Sequence, residues 1–430
     1  MVMNPKVIII GAGFAGLQLA KNLNKNSFDI LLIDKINHHQ FQPLFYQVAT
    51  SQIEPSSISF PIRYIFKNQK NIQIRLAEVL SISSEQKCIK TTIGSFEFDF
   101  LVIAMGCKTN FFGNSEIANH AFTLKTTYDA IIIRNHILKT FEDIISAEEN
   151  IKASLLNLVI VGAGPTGVEL AGAFAEIKKY ILPKDYPKID FTNFKIILVE
   201  RSQHTLNNMS ENAKMASEKY LIEMGVQLLK ETFVKSYDGD VITLSTGKTI
   251  KSKTVIWAAG VVANSLIGLP KECITFGNRV NVDRFNKVEG CNNIYAIGDI
   301  CFMQTNLYPK GHSQVANVAI HQAKNLAKNL NANLKNKPKV EYEYKDLGSM
   351  ATIGTHKAVV DIWSINLKGY FAWFIWMFLH LMLILSVKNK LIIFINWAWA
   401  YVTKNSSLRL ILNPTNGWIG NSISNQKKSL

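Results

Sequence analysis

The sequence predicts an α/β protein that contains two units of the same kind and ends in a separate helical segment. One observation is that an apolar strand followed by three closely spaced glycines occurs twice, about 150 residues apart. Another is that the residues after Asp361 are strongly aromatic and basic. The chain has 430 residues, 48% of them apolar, which is enough for two or three domains of about 150 residues each.

The first glycine motif, GAGFAG, follows a predicted buried strand. Gly11, Gly13 and Gly16 have the spacing that allows a tight turn, a close approach of backbone to a pyrophosphate, and close packing of a helix on the strand. The helix that begins at Phe14 would offer its free amide groups to phosphates. Asp34 ends the next strand, where an acid can accept a hydrogen bond from a ribose hydroxyl. Alone, such a motif also fits a glycine turn in any α/β protein.

The second motif, GAGPTG, repeats the arrangement with Gly162, Gly164 and Gly167. Glu200 ends the next predicted strand and favours NADH over NADPH, because a carboxylate repels a 2′-phosphate. Two such units suit one held and one exchanging dinucleotide. We therefore predict two Rossmann-like dinucleotide-binding domains, the two-dinucleotide-binding flavoprotein fold. The alternative is a duplicated fold whose second site binds nothing.

Later strands complete the two domains. Gly106 and Gly260 each end a buried strand, and Asp299 ends a third. Asp299 can accept hydrogen bonds from the ribityl chain of a flavin or cap the next helix, and both roles can hold. The predicted domains are a first part of the FAD-binding domain at 1–125, an NADH-binding domain at 126–290 with its core at 155–265, a second part of the FAD-binding domain at 291–361, and membrane-anchoring amphipathic helices at 362–430.

The C-terminal segment contains two apolar runs, from Tyr370 to Leu385 and from Leu391 to Val402. Each is shorter than the roughly 20 residues that span a bilayer. Tryptophan favours the headgroup level of a membrane, and six of the seven tryptophans lie in this region: Trp363, Trp373, Trp376, Trp397, Trp399 and Trp418. We predict a helical hairpin that lies in one leaflet. A buried dimer interface is the alternative, and both can contribute.

The excess of positive charge points to anionic membrane lipids. The net charge is +15, which alone also fits nucleic acid or anionic substrates. No acid follows Asp361, whereas the same apolar region contains Lys368, Lys388, Lys390, Lys404, Arg409, Lys427 and Lys428. The position of these residues therefore argues against nucleic acid. The start of the chain lacks a signal peptide, so we expect a peripheral or monotopic protein at the cytoplasmic face of the cell membrane.

The five cysteines are scattered: Cys88, Cys107, Cys273, Cys291 and Cys301. None lies in a CxxC pair, which disfavours zinc sites, iron–sulfur clusters and thioredoxin-type redox centres. We predict reduced, mostly buried thiols and no metal site.

Six motifs, in this order and spacing, resemble the bacterial type II NADH dehydrogenases over essentially the whole chain. They are GAGFAG, HHQFQPLFYQVAT (38–50), VGAGPTGVELAG, AIGD, DLGSMATIG (346–354) and the aromatic C-terminus. The resemblance implies a single-subunit NADH:quinone oxidoreductase with tightly but non-covalently bound FAD and with NADH as co-substrate. Hydride would pass from NADH to FAD and two electrons to a quinone, without proton pumping, at the start of a respiratory chain.

The resemblance also implies roles for individual residues. FAD would contact Gly11, Gly13, Phe14, Ala15, Gly16, Asp34, Lys35, Val79, Gly106, Asp299, Ala316 and Asn317. NADH would contact Gly162, Gly164, Thr166, Gly167, Glu200 and Gly260. Glu169 would be catalytic, either orienting the nicotinamide or relaying a proton to the quinone. Its alternative role is to favour the start of its helix through the helix dipole.

The quinone site departs from the family pattern A-Q-x-x-x-Q-Q-G. The chain has Asn317 and His321 at the first two glutamine positions, Gln322 at the third, and Ala323 at the glycine. His321 and Gln322 can still hydrogen-bond a quinone carbonyl. A histidine on the helix surface is the alternative for His321.

Three rival functions remain open at this stage. A sulfide:quinone reductase and a pyridine-nucleotide disulfide reductase both need redox cysteines beside the flavin, which the sequence does not provide there. A non-catalytic membrane protein that senses NADH is the third. A homodimer formed through the C-terminal region fits any of these functions.

Overall fold

The computed structural model describes residues 4–363, 365–405 and 408–412. The chain divides into two compact units. Unit 1 contains the described residues of Met1–Gln40, Ser59–Lys108 and Val261–Asp346, and unit 2 those of Phe41–Ile58, Thr109–Gly260 and Leu347–Leu430. Trp418, Lys427 and Lys428 of the predicted membrane anchor lie outside the described residues.

The strands are short. In chain order they are β1 (Lys6–Ile10), β2 (Asp29–Asp34), β3 (His38–Gln40), β4 (Ser59–Pro61), β5 (Ile72–Leu76), β6 (Val79–Ser83), β7 (Cys88–Thr91), β8 (Gly94–Glu97), β9 (Phe100–Ile103), β10 (Cys107–Thr109), β11 (Phe122–Thr123), β12 (Asn157–Val161), β13 (Lys195–Val199), β14 (Gln227–Leu229), β15 (Val234–Tyr237), β16 (Val241–Leu244), β17 (Thr249–Lys251), β18 (Thr254–Trp257), β19 (Val261–Ala263), β20 (Ile274–Thr275), β21 (Arg279–Asn281), β22 (Ile294–Ala296), β23 (Cys301–Phe302), β24 (Ser349–Thr352), β25 (Ala358–Ile362) and β26 (Ile365–Gly369).

Helices connect and cover these strands. They are α1 (Phe14–Asn22), α2 (Phe45–Ala49), α3 (Ile62–Ile65), α4 (Ser115–His120), α5 (Thr127–Ser146), α6 (Glu149–Leu155), α7 (Pro165–Glu176), α8 (Leu182–Asp185), α9 (Glu211–Glu223), α10 (Ala316–Asn333), α11 (Tyr370–Leu383) and α12 (Val387–Thr403). A π-helical turn over Ile177–Ile181 joins α7 to α8.

Unit 1 is built on a five-stranded parallel sheet with the order β22-β9-β1-β2-β5. Its central strand β1 is apolar and almost completely buried, as expected when helices or further layers cover both faces. Ile8 of β1 lies beside Leu31 of β2 and Leu101 of β9. On one face α1 and α10 pack against the sheet, and their buried side chains form one core cluster with it. The carboxyl end of β1, at Ile10, leads directly into the first glycine turn.

Unit 2 repeats this plan with the parallel order β11-β18-β12-β13-β14. Val159 of the central strand β12 lies beside Ile197 of β13 and Val255 of β18. The long helix α5 begins with a capping box, in which Thr126 and Asp129 bond each other's backbone amides. Two parallel sheets of the same topology agree with the predicted pair of Rossmann-like folds.

The C-terminal part of unit 2 is an antiparallel sheet, β24-β25-β26, followed by α11 and α12. The helices contact each other through aromatic rings, with the ring centroids of Trp376 and Trp397 at 5.6 Å. None of the helices within the described ranges is both long and apolar enough to span a bilayer.

The compact units differ in four segments from the domains drawn from the sequence. Residues 41–58, 109–125 and 347–361 belong to unit 2 rather than to the FAD-binding part, and residues 261–290 belong to unit 1. Residues 41–58 and 347–361 pack together in unit 2, since Tyr46 on α2 hydrogen-bonds Thr352 on β24. Short elements of this kind contain no signal of their own that tells which sheet they join. The assignment of a cofactor to each domain remains a prediction.

Candidate active site

The first glycine turn of unit 1 can be formed only with glycine at two positions. Gly11 has a φ of +101°, and a Cβ there would lie 2.4 Å from the carbonyl oxygen of Ala104. A Cβ on Gly16 would lie 1.8 Å from the carbonyl oxygen of Gly11. At Gly13, the N-cap of α1, a Cβ would meet no atom within 4 Å. This open space above uncapped amide groups fits the pyrophosphate of a dinucleotide.

Asp34 braces that turn from the end of β2. Its Oδ2 accepts a hydrogen bond from the amide of Ala12 at 2.6 Å, and its Oδ1 accepts one from the amide of Ile36 at 2.9 Å. Burial raises the pKa of this carboxyl, and the backbone hydrogen bonds oppose the rise. Each carboxylate oxygen has a second lone pair, so the predicted bond to a ribose hydroxyl remains possible. Lys35, beside it, forms an exposed ion pair with Glu78.

His39 stabilises the same turn. No role was predicted for it from the sequence. Its Nδ1–H donates to the carbonyl oxygen of Ala12 at 3.0 Å, which requires the tautomer that is protonated at Nδ1. The Phe14 ring meets it edge-on at a centroid distance of 5.2 Å. Burial lowers the pKa of His39 to about 4, so the ring is neutral at physiological pH. The HHQF motif points to this residue only through the family resemblance.

Asp299 lies in the 3₁₀-helical turn Gly298–Ile300, next to α1. The preceding Gly298 has a φ of +76°, and a Cβ there would lie 3.2 Å from the Cβ of Ala15. The thiol of Cys107 donates to Oδ2 of Asp299 at 2.9 Å. Gln314 donates to the Asp299 carbonyl oxygen at 2.9 Å. These contacts place the carboxyl beside the first glycine turn.

Helix α10 begins at Ala316 and Asn317, and neither a capping side chain nor an acid occupies its first turn. Its N-terminal amides are therefore suited to an electron-rich ligand such as a flavin carbonyl. His321 is half-buried on this helix, and burial together with Lys324 lowers its pKa. His321 thus stays among the candidates for contact with the quinone.

Gln322, a predicted quinone contact, has its side chain in the core of unit 1. The side chain is 1% exposed, its Oε1 accepts the amide of Gly298 at 2.7 Å, and its Nε2 lies 3.5 Å from Sγ of Cys301. It follows the buried Val318 by four positions on α10, which turns it toward the core. Gln322 therefore positions the turn before Asp299 and offers no exposed polar atom to a ligand.

Two further residues implied for FAD lie at strand ends of unit 1. Val79 is half-buried at the start of β6 and packs against the core. Gly106 has a φ of +65°, and its carbonyl oxygen accepts the amide of Asn264 at 3.2 Å. The structure places both within unit 1.

The second glycine turn, in unit 2, has the same form. Gly162 has a φ of +99°, and a Cβ on Gly167 would lie 1.8 Å from the carbonyl oxygen of Gly162. Gly164 is the N-cap of α7, and a Cβ there would meet no atom within 4 Å. Glu200 accepts the amides of Ala163 at 2.6 Å and Ser202 at 2.7 Å.

The remaining residues implied for NADH lie at the surface of unit 2. Thr166 is exposed in the first turn of α7, and Gly260 is exposed directly after β18 and Ala259. Gly260 has a φ of +75°, and a Cβ there would lie 2.9 Å from the Phe112 ring. This position therefore also favours glycine.

Glu169 is a buried carboxyl on α7. It is 8% exposed, and burial raises its pKa well above the ordinary value. A long contact of 3.5 Å with the Thr352 amide opposes the rise only weakly. Burial therefore favours the protonated form of this carboxyl, which can donate a hydrogen bond. Close packing sets its position, because a Cβ on Gly172 would lie 2.6 Å from the amide nitrogen of Gly354.

A chain of buried polar groups, which the sequence did not reveal, runs from Thr352 to helix α12. The hydroxyls of Thr352 and Tyr46 are 3.0 Å apart, Gln47 donates to the Tyr46 hydroxyl at 3.0 Å, and Trp397 donates to Oε1 of Gln47 at 2.8 Å. We call Glu169, Thr352, Tyr46, Gln47 and Trp397 the polar chain. Burial and Glu169 raise the pKa of Tyr46. The only signal was a glutamine inside the apolar run FYQVA.

Aromatic rings surround the α12 end of the polar chain. His380 stacks on Trp376 at a centroid distance of 4.1 Å and meets Phe41 at 6.3 Å. Burial lowers the pKa of His380 to about 4, so this ring is neutral as well. The arrangement is an uncharged, aromatic environment that suits an apolar ring.

Known proteins that match this chain agree with the presence of two dinucleotide-type glycine turns. Residues 5–323 match the family described as pyridine nucleotide-disulphide oxidoreductase, and residues 347–404 match the NDH2 C-terminal domain. The type II NADH:quinone oxidoreductase Ndh of Mycobacterium tuberculosis is 32% identical over 418 residues, 93% of this chain and 88% of that protein.

Solved structures share the fold. NDH2 from Plasmodium falciparum in complex with NADH matches with a TM-score of 0.87 at 23% identity, over 96% of this chain and 100% of that one. The sulfide:quinone oxidoreductase from Aquifex aeolicus matches with a TM-score of 0.72 at 18% identity, over 97% and 99%.

Proposed function

The chain belongs to the type II NADH:quinone oxidoreductases, and from this premise we propose that it oxidises NADH and reduces a quinone at a membrane surface, without pumping protons. The observation that carries this proposal is the pair of glycine turns. In each of them a carboxylate, Asp34 or Glu200, accepts a hydrogen bond from a backbone amide of the turn. Bound FAD supplies the redox chemistry, accepting a hydride from NADH and giving two electrons to the quinone.

We assign FAD to unit 1. The open space at Gly13 and the uncapped start of α1 would hold the pyrophosphate, and Asp34 a ribose hydroxyl. Asp299 would hold the ribityl chain through its carboxylate. The α10 amides at Ala316 and Asn317 would face the flavin ring. The remaining predicted contacts are Gly11, Phe14, Ala15, Gly16, Lys35, Val79 and Gly106.

We assign NADH to unit 2. Gly164 and the start of α7 would hold its pyrophosphate, and Glu200 would accept a ribose hydroxyl and repel the 2′-phosphate of NADPH. Thr166 and Gly260 are exposed next to this cradle. Gly162 and Gly167 form the turn itself.

Glu169 is the proposed proton carrier of the reaction. Oxidation of NADH by a quinone gives NAD⁺ and a quinol, and it takes up one proton from the medium for each turnover. A carboxyl whose pKa is raised by burial can donate that proton and regain it afterwards. The backbone amide of Thr352 approaches Glu169 at 3.5 Å, and the Thr352 hydroxyl bonds the hydroxyl of Tyr46 on the side toward α12. His321 remains the candidate contact with a quinone carbonyl.

We propose that α11 and α12 hold the protein on the cytoplasmic face of the membrane. Large apolar side chains on both helices are exposed, among them Phe371 at 78%, Trp399 at 63% and Val402 at 79%. Lys388 and Lys390 at the start of α12 would attract anionic lipids. Asp substitutions at Phe371 and Val402 should abolish sedimentation with anionic vesicles, whereas Phe276→Asp, an equally exposed phenylalanine in unit 1, should not.

The cysteines argue against a sulfide:quinone reductase, although that fold is shared. Burial raises the pKa of Cys301 to about 12, so this thiol does not form the reactive thiolate. The thiol of Cys107 donates a hydrogen bond to Asp299, and all five cysteines lack disulfides.

Stopped-flow spectroscopy of the full chain in detergent tests the function. NADH should bleach the flavin absorbance, and a quinone should restore it in repeated cycles. Bleaching without recovery for either ubiquinone or menaquinone analogues would leave an NADH-sensing flavoprotein. A colourless protein that takes up no FAD would contradict the assignment of unit 1.

A further inference from the structure

Unit 1 contains an open pocket of about 430 Å³ at the edge of its parallel sheet. The pocket is formed by α3, by the loop that follows α3, and by β5, which is the last strand of the sheet. Its volume is in the range of small-molecule sites. No residue assigned above to FAD, NADH or quinone lines it. The pocket is therefore not part of the sites described so far.

Two arginines meet on one backbone oxygen in this pocket. Nη2 of Arg63 on α3 donates to the carbonyl oxygen of Ile74 at 3.1 Å, and Nη1 of Arg75 donates to the same oxygen at 3.3 Å. This oxygen is available because β5 is an edge strand, whose outer side has no neighbouring strand. All three residues line the pocket, and both arginines are exposed. The shared oxygen thus keeps two guanidinium groups close together at the pocket.

No acid balances these two positive charges. Residues 55–76 include no aspartate and no glutamate. Within the described residues, the ion pairs that arginines form belong to Arg284 and Arg409. Because like charges repel at short range, an anion between Arg63 and Arg75 would be bound favourably.

The other polar residues of the pocket are also donors. Lys67, Gln69 and Gln73 line it together with the arginines. Nζ of Lys67 lies 4.5 Å from the centroid of the Tyr64 ring, and this lysine forms no ion pair within the part of the chain that the structure describes. The lining thus offers three cations and two amides, and no carboxylate.

We propose that this pocket binds a phosphate monoester. A guanidinium group matches phosphate oxygens with paired N–H donors, and each arginine keeps further N–H groups after its bond to Ile74. A monoester carries nearly two negative charges at neutral pH, which pairs with two guanidinium groups better than a carboxylate does. The headgroup of phosphatidic acid and a soluble phosphate ester share this chemistry. The site is additional to the NADH:quinone reaction and goes beyond the proposed function.

Calorimetry with the purified full chain in a non-ionic detergent tests the site. Glycerol 3-phosphate carries the phosphate on a soluble molecule and dioctanoyl phosphatidic acid carries it on a lipid, whereas glycerol and dioctanoylglycerol are the matching molecules without it. At least one phosphate form should bind saturably, and at least about tenfold more tightly than its phosphate-free counterpart. Binding of the lipid form alone assigns a lipid headgroup, and binding of the soluble form assigns a soluble ester. Saturable binding of neither form would overturn the proposal.

Variants identify the groups that bind the phosphate. Arg63→Gln combined with Arg75→Gln should weaken phosphate binding at least about tenfold, because charge-assisted hydrogen bonds are lost. Lys25→Gln combined with Lys90→Gln removes the same net charge from exposed positions of unit 1 outside the pocket, and it should bind phosphate as the unchanged protein does. Equal affinities in the two double variants would refute the site and leave the arginines as caps of the sheet edge.

Single variants cover the case in which the arginine double variant does not fold. Arg63→Gln and Arg75→Gln each keep one guanidinium group, and each should weaken phosphate binding at least about threefold. Thermal unfolding curves show that each variant is folded. Full affinity in both folded single variants would contradict the proposal.

Discussion

The glycine turns of unit 1 and unit 2 have almost the same backbone. Gly11 and Gly162 have φ values of +101° and +99°, and a Cβ on Gly16 or Gly167 would approach a backbone carbonyl oxygen to 1.8 Å in both units. In both, the acid that ends the next strand accepts a turn amide at 2.6 Å. The shared geometry follows from steric exclusion, which is the same wherever a dinucleotide is bound against a helix start.

The carbonyl oxygen in the middle of each turn is held differently. In unit 1 the carbonyl of Ala12 accepts from the imidazole of His39, whereas in unit 2 the carbonyl of Ala163 accepts from the backbone amide of Leu206 at 2.8 Å. An imidazole can gain a proton in mild acid and a backbone amide cannot. The first turn is therefore sensitive to pH where the second is not.

The helices that follow also differ. Two positions after the third glycine, α1 has the half-buried Gln18 and α7 has the buried Glu169, whose pKa is raised by burial. The unit proposed to hold FAD thus has no carboxyl at this position, and the unit proposed to bind the exchanging NADH does. The comparison supports the proposal that both turns bind dinucleotides, whereas only the helix of unit 2 has a carboxyl that could transfer a proton.

The largest effect should come from filling the open space in each cradle. Gly13→Val should yield a protein without flavin and without NADH oxidation. Gly164→Val should keep its flavin and raise the KM for NADH roughly a hundredfold, because two or more charge-assisted hydrogen bonds are lost. Flavin absorbance and steady-state kinetics measure both. Loss of flavin in Gly164→Val alone would reverse the assignment of the units.

Glu169→Gln should separate binding from proton transfer. The amide keeps the shape of the carboxyl but gives up no proton, so quinone-dependent turnover should fall about a hundredfold, with NADH-driven bleaching of the flavin changed much less. Glu176→Gln is the matched control, since Glu176 is a second buried acid on α7, bonded to Thr355. Equal losses in both variants would argue for a structural role of Glu169.

Mild acid should affect the first turn through His39. Its folded pKa of about 4 lies below the unfolded value of 6.5, so its contribution to stability is complete above pH 6.5 and is lost as the pH falls toward 4. By pH 5 the loss is about 2 kcal/mol. His39→Gln, whose amide can still donate to Ala12, should reduce the fall in unfolding free energy between pH 7 and pH 5 by that amount. An unchanged pH profile in denaturant titrations would contradict this account.

The smallest effect concerns the far end of the polar chain, which unit 1 lacks. Trp397→Phe leaves the buried Oε1 of Gln47 without its donor and should lower the unfolding free energy by about 1–3 kcal/mol. Trp399→Phe, on the same helix but exposed, should change it by less than about 0.5 kcal/mol. Urea unfolding compares the pair, and similar values for both would mean that the chain adds nothing to stability.

Features that depend on neighbours in sequence were predictable. Both glycine turns, with Asp34 and Glu200, follow from local spacing, and the two parallel sheets follow from apolar runs. The contact between Gln47 and Trp397 was not predictable, because 350 residues separate them and no pattern in either segment refers to the other. The burial of Gln322 was not predictable for a related reason, since the motif gives its place in the sequence but not which face of α10 is buried.

Gly172 has a consequence for how the sequence can vary over evolution. It contacts the backbone at Gly354 and neither cradle, yet any side chain would push α7 away from β24 and move Glu169 from Thr352. A survey of all single substitutions would therefore mark Gly172 as intolerant, like a residue that touches substrate. A residue that contacts no ligand can thus be as intolerant of substitution as a residue that binds one.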